Sequence, residues 1–450
     1  MTGPRDHSLT SALLADLACE VDVATRHRAA LHLLDWLACA RAACAEPARR
    51  AMTNLYDYPA DGGLALFGLQ RPIEQHLMLD GALGSMLEMD DVHRAAVLHP
   101  GPVIMPAVLT AARQQDATPS ELLDAIVFGY EVMVRIGRGM GQHHYAHWHP
   151  TATIGPFGAA AAVGKLLDLS AEQMVWTLGN AGTRTGGLWQ LRHEPVPSKA
   201  LHTALAARDG WLAAMLAKRG FAGPSQILEG PQGLLAAAAS DADPDRMLGP
   251  IDHWLIHEVS FKPWPACRHA HPAIDALMAL QTIPPPEAIE RIEIGTYQAA
   301  IDFCDKATPT TPAEARFSIQ HALAAAILYG RPCLAQYQPA CIADAEVSAL
   351  RARIQLHCLP AFNQAFPAHF GAELRLVLRT GQTEQTRIDD AWGDPENPLQ
   401  RKDLEQKCED LFGHAGLGQT AIRRVIDQTL HLADAESLDT WWQTMAECAG

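Results

Sequence analysis

From the N-terminus to about residue 250, apolar residues return at intervals of three and four, as in "HRAALHLLDWLACARAA", "LMLDGALGSMLEM", "PSELLDAIVFGYEVMVRIGR" and "HTALAARDGWLAAMLAKRG". That interval is the signature of helices with one buried face. Thr118-Pro119-Ser120-Glu121 predicts a helix start with an N-cap, a proline at the first helical position and a capping-box glutamate, and Ser170 with Gln173 repeats the box. The small residues of "GPFGAAAAVGKLL" predict helices packed too closely for large side chains. Beyond residue 260 the period changes. "IERIEIGTYQ" alternates like a strand, and "AELRLVLRTGQTEQTRID" reads as two strands around a turn. Helical spacing returns in "PLQRKDLEQKCEDLFGHAG" and "AIRRVIDQTLHLA". The pattern therefore predicts a mainly α protein: a large helical domain built from both chain ends, residues 1–259 and 393–450, with a smaller α/β domain inserted at 260–392. An insertion beside a rigid body is placed to act as a lid.

Composition narrows the class. At 450 residues the chain is too long for one ordinary core. Hydrophobic residues reach 48% against 19% charged, yet no stretch approaches the roughly 20 unbroken apolar residues of a membrane helix. The opening "MTGPRDHSLTSALLADL" lacks the basic-then-apolar pattern of a secretory leader, so the cytoplasm is the expected location. Ten cysteines without a Cys-x-x-Cys pair fit a reducing compartment and no structural zinc. A net charge of −16 argues against nucleic acid, whose binding depends on phosphate neutralisation. An anionic ligand would need a local cluster of positive groups working against the overall field.

Candidate chemistry concentrates at proline-marked helix starts. "EMDDVHRAAVLHPGPV", residues 88–103, places acidic residues ahead of His99-Pro100; His149 precedes Pro150 and His271 precedes Pro272 in the same manner. A helix start offers unpaired N–H groups and partial positive charge, suited to a carboxylate, and an imidazole there adds a proton carrier. Lys199 in "VPSKALH" and Lys262 in "SFKPWP" supply fixed charge beside further prolines. A histidine ahead of a proline is also an ordinary loop or capping residue, and Asp90 or Asp91 is equally able to cap a turn. The histidines of "HHYAHWHP" (His143, His144, His147 and His149) raise a metal alternative, but none of the specific ligand spacings is present and no metal is expected. Tyr145 and Trp148 read as core or pocket wall. The glycines of "GRGMGQ" follow a helix and do not open one, against a dinucleotide loop.

Five ordered blocks carry a resemblance that covers nearly the whole chain: "LEMDDVHRAAVLHPGPVIMPAVLTAA", "HWHPTATIGPFGAAAAVGKLLDLS", "SKALHTALAARDGWLAAMLAKRGFAGPSQILEGPQGLL", "FKPWPACRHAHPAIDA" and "EARFSIQHALAAAILYG". In that order they resemble the signature blocks of the MmgE/PrpD family, which contains 2-methylcitrate dehydratases, cis-aconitate decarboxylases and iminodisuccinate epimerases. The resemblance implies a helical domain with an α/β lid, a homodimer, no metal or organic cofactor, and a site between the domains. It places the acidic block on Glu88, Asp90 and Asp91, the two histidines on His99 and His149, and the pocket lysines on Lys199 and Lys262. Departures fall at Glu88 (commonly Asp), Val92 (commonly Thr) and His321 (commonly Tyr). "GGLWQLRHEPVPSK" lacks a usual glycine, so Trp189 and Arg192 reshape that wall.

The expected reaction begins with removal of a proton next to a carboxylate of a small di- or tricarboxylate, and pre-placed donors stabilise the resulting charge. His149 is the expected proton-transfer residue, His99 its partner acid or a carboxylate anchor, and Asp91 an orienter or second base. Lys199 and Lys262 stabilise charge; Glu88, Asp90, His321, Trp189, Arg192 and Tyr145 are expected to bind substrate. Hydro-lyase ranks first. Epimerase follows, because His321 would add a second imidazole, then decarboxylase and, from another class, a non-catalytic anion-binding protein. Carboxylates beside an anion site repel the ligand unless paired, so at least one of Glu88, Asp90 and Asp91 is expected to face a histidine or lysine.

Overall fold

The helical spacing of the first half resolves into α1 (Val23–Ala42), α2 (Ile73–Leu83), α3 (Gly101–Gln115), α4 (Pro119–Gly139), α5 (Pro150–Leu166) and α6 (Ser198–Lys218). The structure is a computed structural model and describes residues 8–57, 63–67, 72–194 and 196–448. Helix α5 is the axis: every residue from Pro150 to Gly164 is buried, among α3, α4 and α6. Small residues permit this. A Cβ added at Gly129 of α4 would lie 2.7 Å from the Ala162 Cβ, and one at Gly210 of α6 would lie 2.7 Å from the Pro156 carbonyl oxygen. The capping boxes at Thr118 and Ser170 are both formed.

Two short antiparallel strands, β1 (Val92–His93) and β2 (Val259–Ser260), pair Val92 with Ser260 and His93 with Val259. This ladder ties the acidic run to the segment that leads into Lys262. Neither strand is long enough to show a periodic signal, and the sequence reading did not anticipate them.

The α/β portion holds a four-stranded sheet of β3 (Ile289–Thr296), β4 (Ile354–Cys358), β5 (Ala372–Leu378) and β6 (Thr383–Ile388) in the order β4-β3-β5-β6. The β3–β4 pair is parallel and the others antiparallel. Alternation in β3 buries Ile292 and Ile294 in a core shared with Ile274 and Leu277 of α7 (His271–Met278) and Leu323 of α8 (Ile319–Tyr329). β3, β5 and β6 follow the alternation read from the sequence. β4 was hidden because only Ile354 of its five residues is buried.

Helices α9 (Arg401–His414) and α10 (Gln419–Leu430) pack on α1. Leu404, Phe412 and Val425 share one buried cluster with Leu33, Leu37 and Ile126, so both chain ends build the same core. The fold is mainly α with a small α/β portion. No described helix is long and apolar enough to cross a membrane.

Candidate active site

A cavity of about 450 Å³ lies where the helical body meets the α/β portion. The body contributes Glu88, Val92, His99, Tyr145, His149, Trp189, Arg192 and Lys199; the other side contributes Lys262, Cys267, His269, Phe303, Lys306, Phe317 and Phe370.

His99 stands just outside α3. Its Nδ1 is 2.8 Å from the Asp91 carbonyl oxygen and 3.0 Å from Asp90 Oδ2. Both neighbours are acceptors, so the hydrogen belongs on Nδ1 and Nε2 keeps its lone pair for the cavity. His149 is the N-cap of α5. Its Nδ1 lies 3.1 Å from His202 Nδ1, Trp189 packs on its ring at a centroid distance of 4.4 Å, and its buried Nε2 has no partner among the described residues. Burial, reinforced by the nearby Lys199 and His202, holds the His149 pKa well below the ordinary imidazole value, so the ring is neutral.

Lys199 and Lys262 each have a counter-charge. Glu88, in the left-handed region with φ 56°, grips Lys199 Nζ with both oxygens at 2.7 and 2.6 Å. Lys262 Nζ, fully buried, donates to the Glu88 carbonyl at 3.1 Å and lies 3.5 Å from Asp90 Oδ1. Burial alone would raise the Asp90 pKa; Lys262 and His99 overcome that and hold it well below the carboxylate range. Against its own burial, Lys199 is kept above the usual ammonium value by Glu88 and then Asp90. The expectation that a carboxylate of this run faces a lysine or histidine is met by all three, Glu88 at Lys199, Asp90 at Lys262 and His99, and Asp91 at His32.

Several expected residues stand elsewhere. Asp91 points away from the cavity: Oδ2 accepts from the Tyr130 hydroxyl at 2.7 Å and lies 2.8 Å from His32 Nδ1, and Oδ1 accepts the Gly101 N–H at 2.9 Å. It reaches the site only through its carbonyl, so its carboxylate is neither a base nor an orienter there. Asp90 also does not line the cavity and acts from behind His99 and Lys262. His321 is buried in α8 with Nε2 2.8 Å from the Gln336 carbonyl oxygen, outside the cavity; Glu314, Arg316 and Phe317, at the start of that block, are its cavity residues. His271 is likewise a core residue, with Nε2 3.0 Å from the Ala266 carbonyl oxygen. The reason is local. α7 begins at His271 itself, whereas His99 and His149 precede their helices and stay free to turn toward the cavity.

His269 takes the place expected of His271. Its Nδ1 is 2.8 Å from the Tyr297 hydroxyl and Nε2 3.5 Å from that of Tyr145, and burial, then Lys262 and Lys199, pushes its pKa down to about 3. The first histidine of "RHAHP" was the available signal, and the proline drew attention to the other one.

Tyr145, Trp189 and Arg192 are at the cavity as expected. Trp189 and Arg192 share one 3-10 turn, and the Arg192 guanidinium lies 4.8 Å from the centre of the Phe303 ring. Arg316 bridges to Glu46 at 2.7 Å and donates to the Met86 carbonyl at 2.9 Å, fastening the α/β portion to the body.

The histidine cluster does not converge on a metal geometry. His143 accepts from the Ser240 N–H, His144 meets the Thr153 hydroxyl and His147 is exposed. Among the described residues, the one trio within ligating reach is His369, Asp390 and Glu396, away from the cavity.

With this arrangement in view, the comparisons give the family. The MmgE/PrpD N-terminal domain matches residues 12–247 and the MmgE/PrpD C-terminal domain matches residues 264–432. The chain belongs to the MmgE/PrpD family. It is similar to a cis-aconitate decarboxylase-like protein of Aspergillus oryzae, 26% identical over 78% of this chain and 79% of the relative. It is also similar to the cis-aconitate decarboxylase of Homo sapiens, 27% identical over 73% of this chain and 70% of the relative. The 2-methylcitrate dehydratase of Escherichia coli is 26% identical over 60% of this chain and 55% of the relative.

Proposed function

We propose that this protein is a cofactor-independent lyase that removes a proton from the carbon next to a carboxylate of a small anionic substrate, with loss of a β-hydroxyl as the outcome. One observation carries the reading: the His99 ring, its Nδ1 committed to the Asp91 carbonyl and Asp90, shares a cavity with Lys199 and Lys262. His99 Nε2 takes the proton. The electron pair left on carbon delocalises into the carboxylate, where the two ammonium groups stabilise it, an effect worth about 3–4 kcal/mol per well-aimed donor. His149 was the expected base, but a ring this resistant to protonation is a poor one; it serves better as a neutral hydrogen-bond donor. As the electron pair forms the double bond, the C–O bond breaks, and the imidazolium on His99 returns its proton to the departing hydroxyl as water. Lys199 suits that acid role less, because Glu88 and Asp90 hold its proton.

Decarboxylation is the second reading, favoured by the two decarboxylase-named relatives, which match 78% and 73% of the chain against 60% for the dehydratase. Epimerisation loses its particular ground with the burial of His321. Incubation in deuterated water with hydroxylated and unsaturated di- and tricarboxylates, followed by NMR, tests the proposal. The expected result is an alkene product together with deuterium in recovered substrate. Loss of carbon dioxide would move the assignment to the second reading, and absence of any exchange or elimination would sink proton abstraction.

The same proposal includes closure of the 260–392 segment as a lid and a cytoplasmic homodimer. Leu201 and Leu212 are 43% and 39% exposed. Eleven residues apart, they share a face of α6 that a second copy would cover. Sedimentation of the purified chain as a monomer would remove that part.

A further inference from the structure

We propose, on the reading of this cavity as a carboxylate site, that its substrate is a mono- or dicarboxylate bearing a large, ring-sized apolar group, and not a compact tricarboxylate. The first ground is the wall. Trp189 packs on His149 at 4.4 Å, so the aromatic surface begins beside the reacting centre and meets whatever is attached one or two bonds away. From there it is continuous: Trp189, Tyr145 and Phe303 touch one another with centroids 6.0 to 6.2 Å apart. Val92 and Phe370 extend it, and the 450 Å³ enclosed falls in the range of pockets that surround ligands larger than a six-carbon acid.

The second ground is charge, and it is independent of the first. At the inner end Lys199 is matched by Glu88 and Lys262 by Asp90, so the lysines offer hydrogen bonds without a surplus of positive charge. A third carboxylate there would be desolvated without a counter-ion. Among the described residues Arg192 makes no ion pair and lies over the Phe303 ring, whereas Lys306 lies over Phe317 and its charge is felt by the Glu314 carboxyl. Arg192 is thus the cavity group available to a second carboxylate, beside Phe303.

Calorimetric titration of the full chain with succinate, 2-benzylsuccinate and propane-1,2,3-tricarboxylate tests this directly. We expect 2-benzylsuccinate to bind at least about tenfold more tightly than succinate, the effect of burying one aromatic ring, with a more negative heat-capacity change. The tricarboxylate should bind no better than succinate. Trp189→Ala should erase the preference, and the milder Phe303→Leu should reduce it in a chain that retains its fold. Lys199→Met should weaken succinate and 2-benzylsuccinate by the same factor. The inference is overturned if the tricarboxylate binds most tightly, if none of the three binds, or if the benzyl preference is absent or survives both aromatic substitutions. Its failure is separable from that of the catalytic reading. Benzyl-selective binding with no deuterium exchange on any substrate sinks proton abstraction alone, and exchange confined to a tightly bound tricarboxylate sinks this inference alone.

Discussion

Residues 88 to 91 have two faces, and the comparison between them explains most of the site. Glu88 and Asp90 serve the cavity; Met89 and Asp91 turn to the helical core. Two lysines, both fully buried or nearly so, hold successive carbonyls of this run from opposite sides: Lys262 reaches the Glu88 oxygen at 3.1 Å and Lys407 the Met89 oxygen at 2.7 Å. Lys407 also holds Asp35 at 2.5 Å, a tight buried ion pair. Lys262 has only longer contacts, 3.5 Å to Asp90 and 3.8 Å to Glu88, which leaves room for a ligand oxygen. Burial and charge do not separate a chemical lysine from a structural one here. The tight carboxylate contact of Lys407, against the longer ones of Lys262, does, and the bent run that opens with Glu88 in the left-handed region turns successive residues to opposite sides.

Parallel substitutions can break this partition. The largest effect is expected on the cavity face, where His99→Ala should lower kcat by about 10² to 10⁴, the range for loss of a general base, with the melting temperature close to that of the parent. Lys262→Met should follow, with turnover down by about 10² to 10³ as one charge-stabilising donor is lost. Lys407→Met should behave oppositely. It strands Asp35 in the core, so urea unfolding should show a loss of about 3 to 5 kcal/mol, while kcat per folded molecule stays within a few-fold. Adding Asp35→Leu should restore most of that stability, because a buried ion pair can be replaced by packing apolar groups. If the folded Lys407 variant is inactive while the Lys262 variant keeps its rate, the two faces have been assigned the wrong way round.

Neighbouring aspartates should also give opposite pH signatures. Burial raises the Asp91 pKa to about 6, above the unfolded value, so the native state holds this proton more tightly. Between about pH 4 and 6 this group makes stability fall as pH rises, by at most about 3 kcal/mol, and Asp91→Asn should remove that slope. Asp90 is held down by Lys262 and His99. Its contribution is present above about pH 4 and is lost as pH drops further, so Asp90→Asn should flatten the acid limb instead. Denaturation midpoints across pH 3 to 7 check both. The same sign for the two variants would contradict the opposed environments.

What was readable in the sequence follows from the range of each signal. Local rules held: the boxes at Thr118 and Ser170, the strands β3, β5 and β6, and the placement of His99, His149, Lys199 and Lys262 beside helix or strand ends. Trp189, Arg192 and Tyr145 were also legible at the cavity. Failures came where a side chain's direction depends on tertiary register. Asp91 and Asp90 differ by one position and so face opposite ways; His269 and His271 differ by two, but the helix begins between them. His321 was carried by its block, yet its face of α8 packs inward. Lys407 and Asp35 are 372 residues apart, and no local pattern connects them.

The smallest effect concerns the cavity histidine that the acidic run does not hold. His99 is oriented by a carbonyl and a carboxylate, whereas His149 is met by another imidazole, His202, three residues beyond Lys199 on α6. In a contact between two neutral rings one Nδ1 donates and the other accepts, so His202 selects the His149 tautomer. If His202 donates, the hydrogen of His149 sits on the unpartnered Nε2, where it can reach a substrate oxygen. His202 is only partly buried, and water can replace it when it is removed. His202→Ala should therefore lower kcat by less than about tenfold with KM nearly unchanged, the pattern for an interaction made mainly in the transition state. His202→Asn, whose amide can donate to the same nitrogen, should recover part of the loss. A full-activity alanine variant would show that His149 keeps its tautomer without help, and a loss as large as that of His99→Ala would show that His149, not His99, moves the proton.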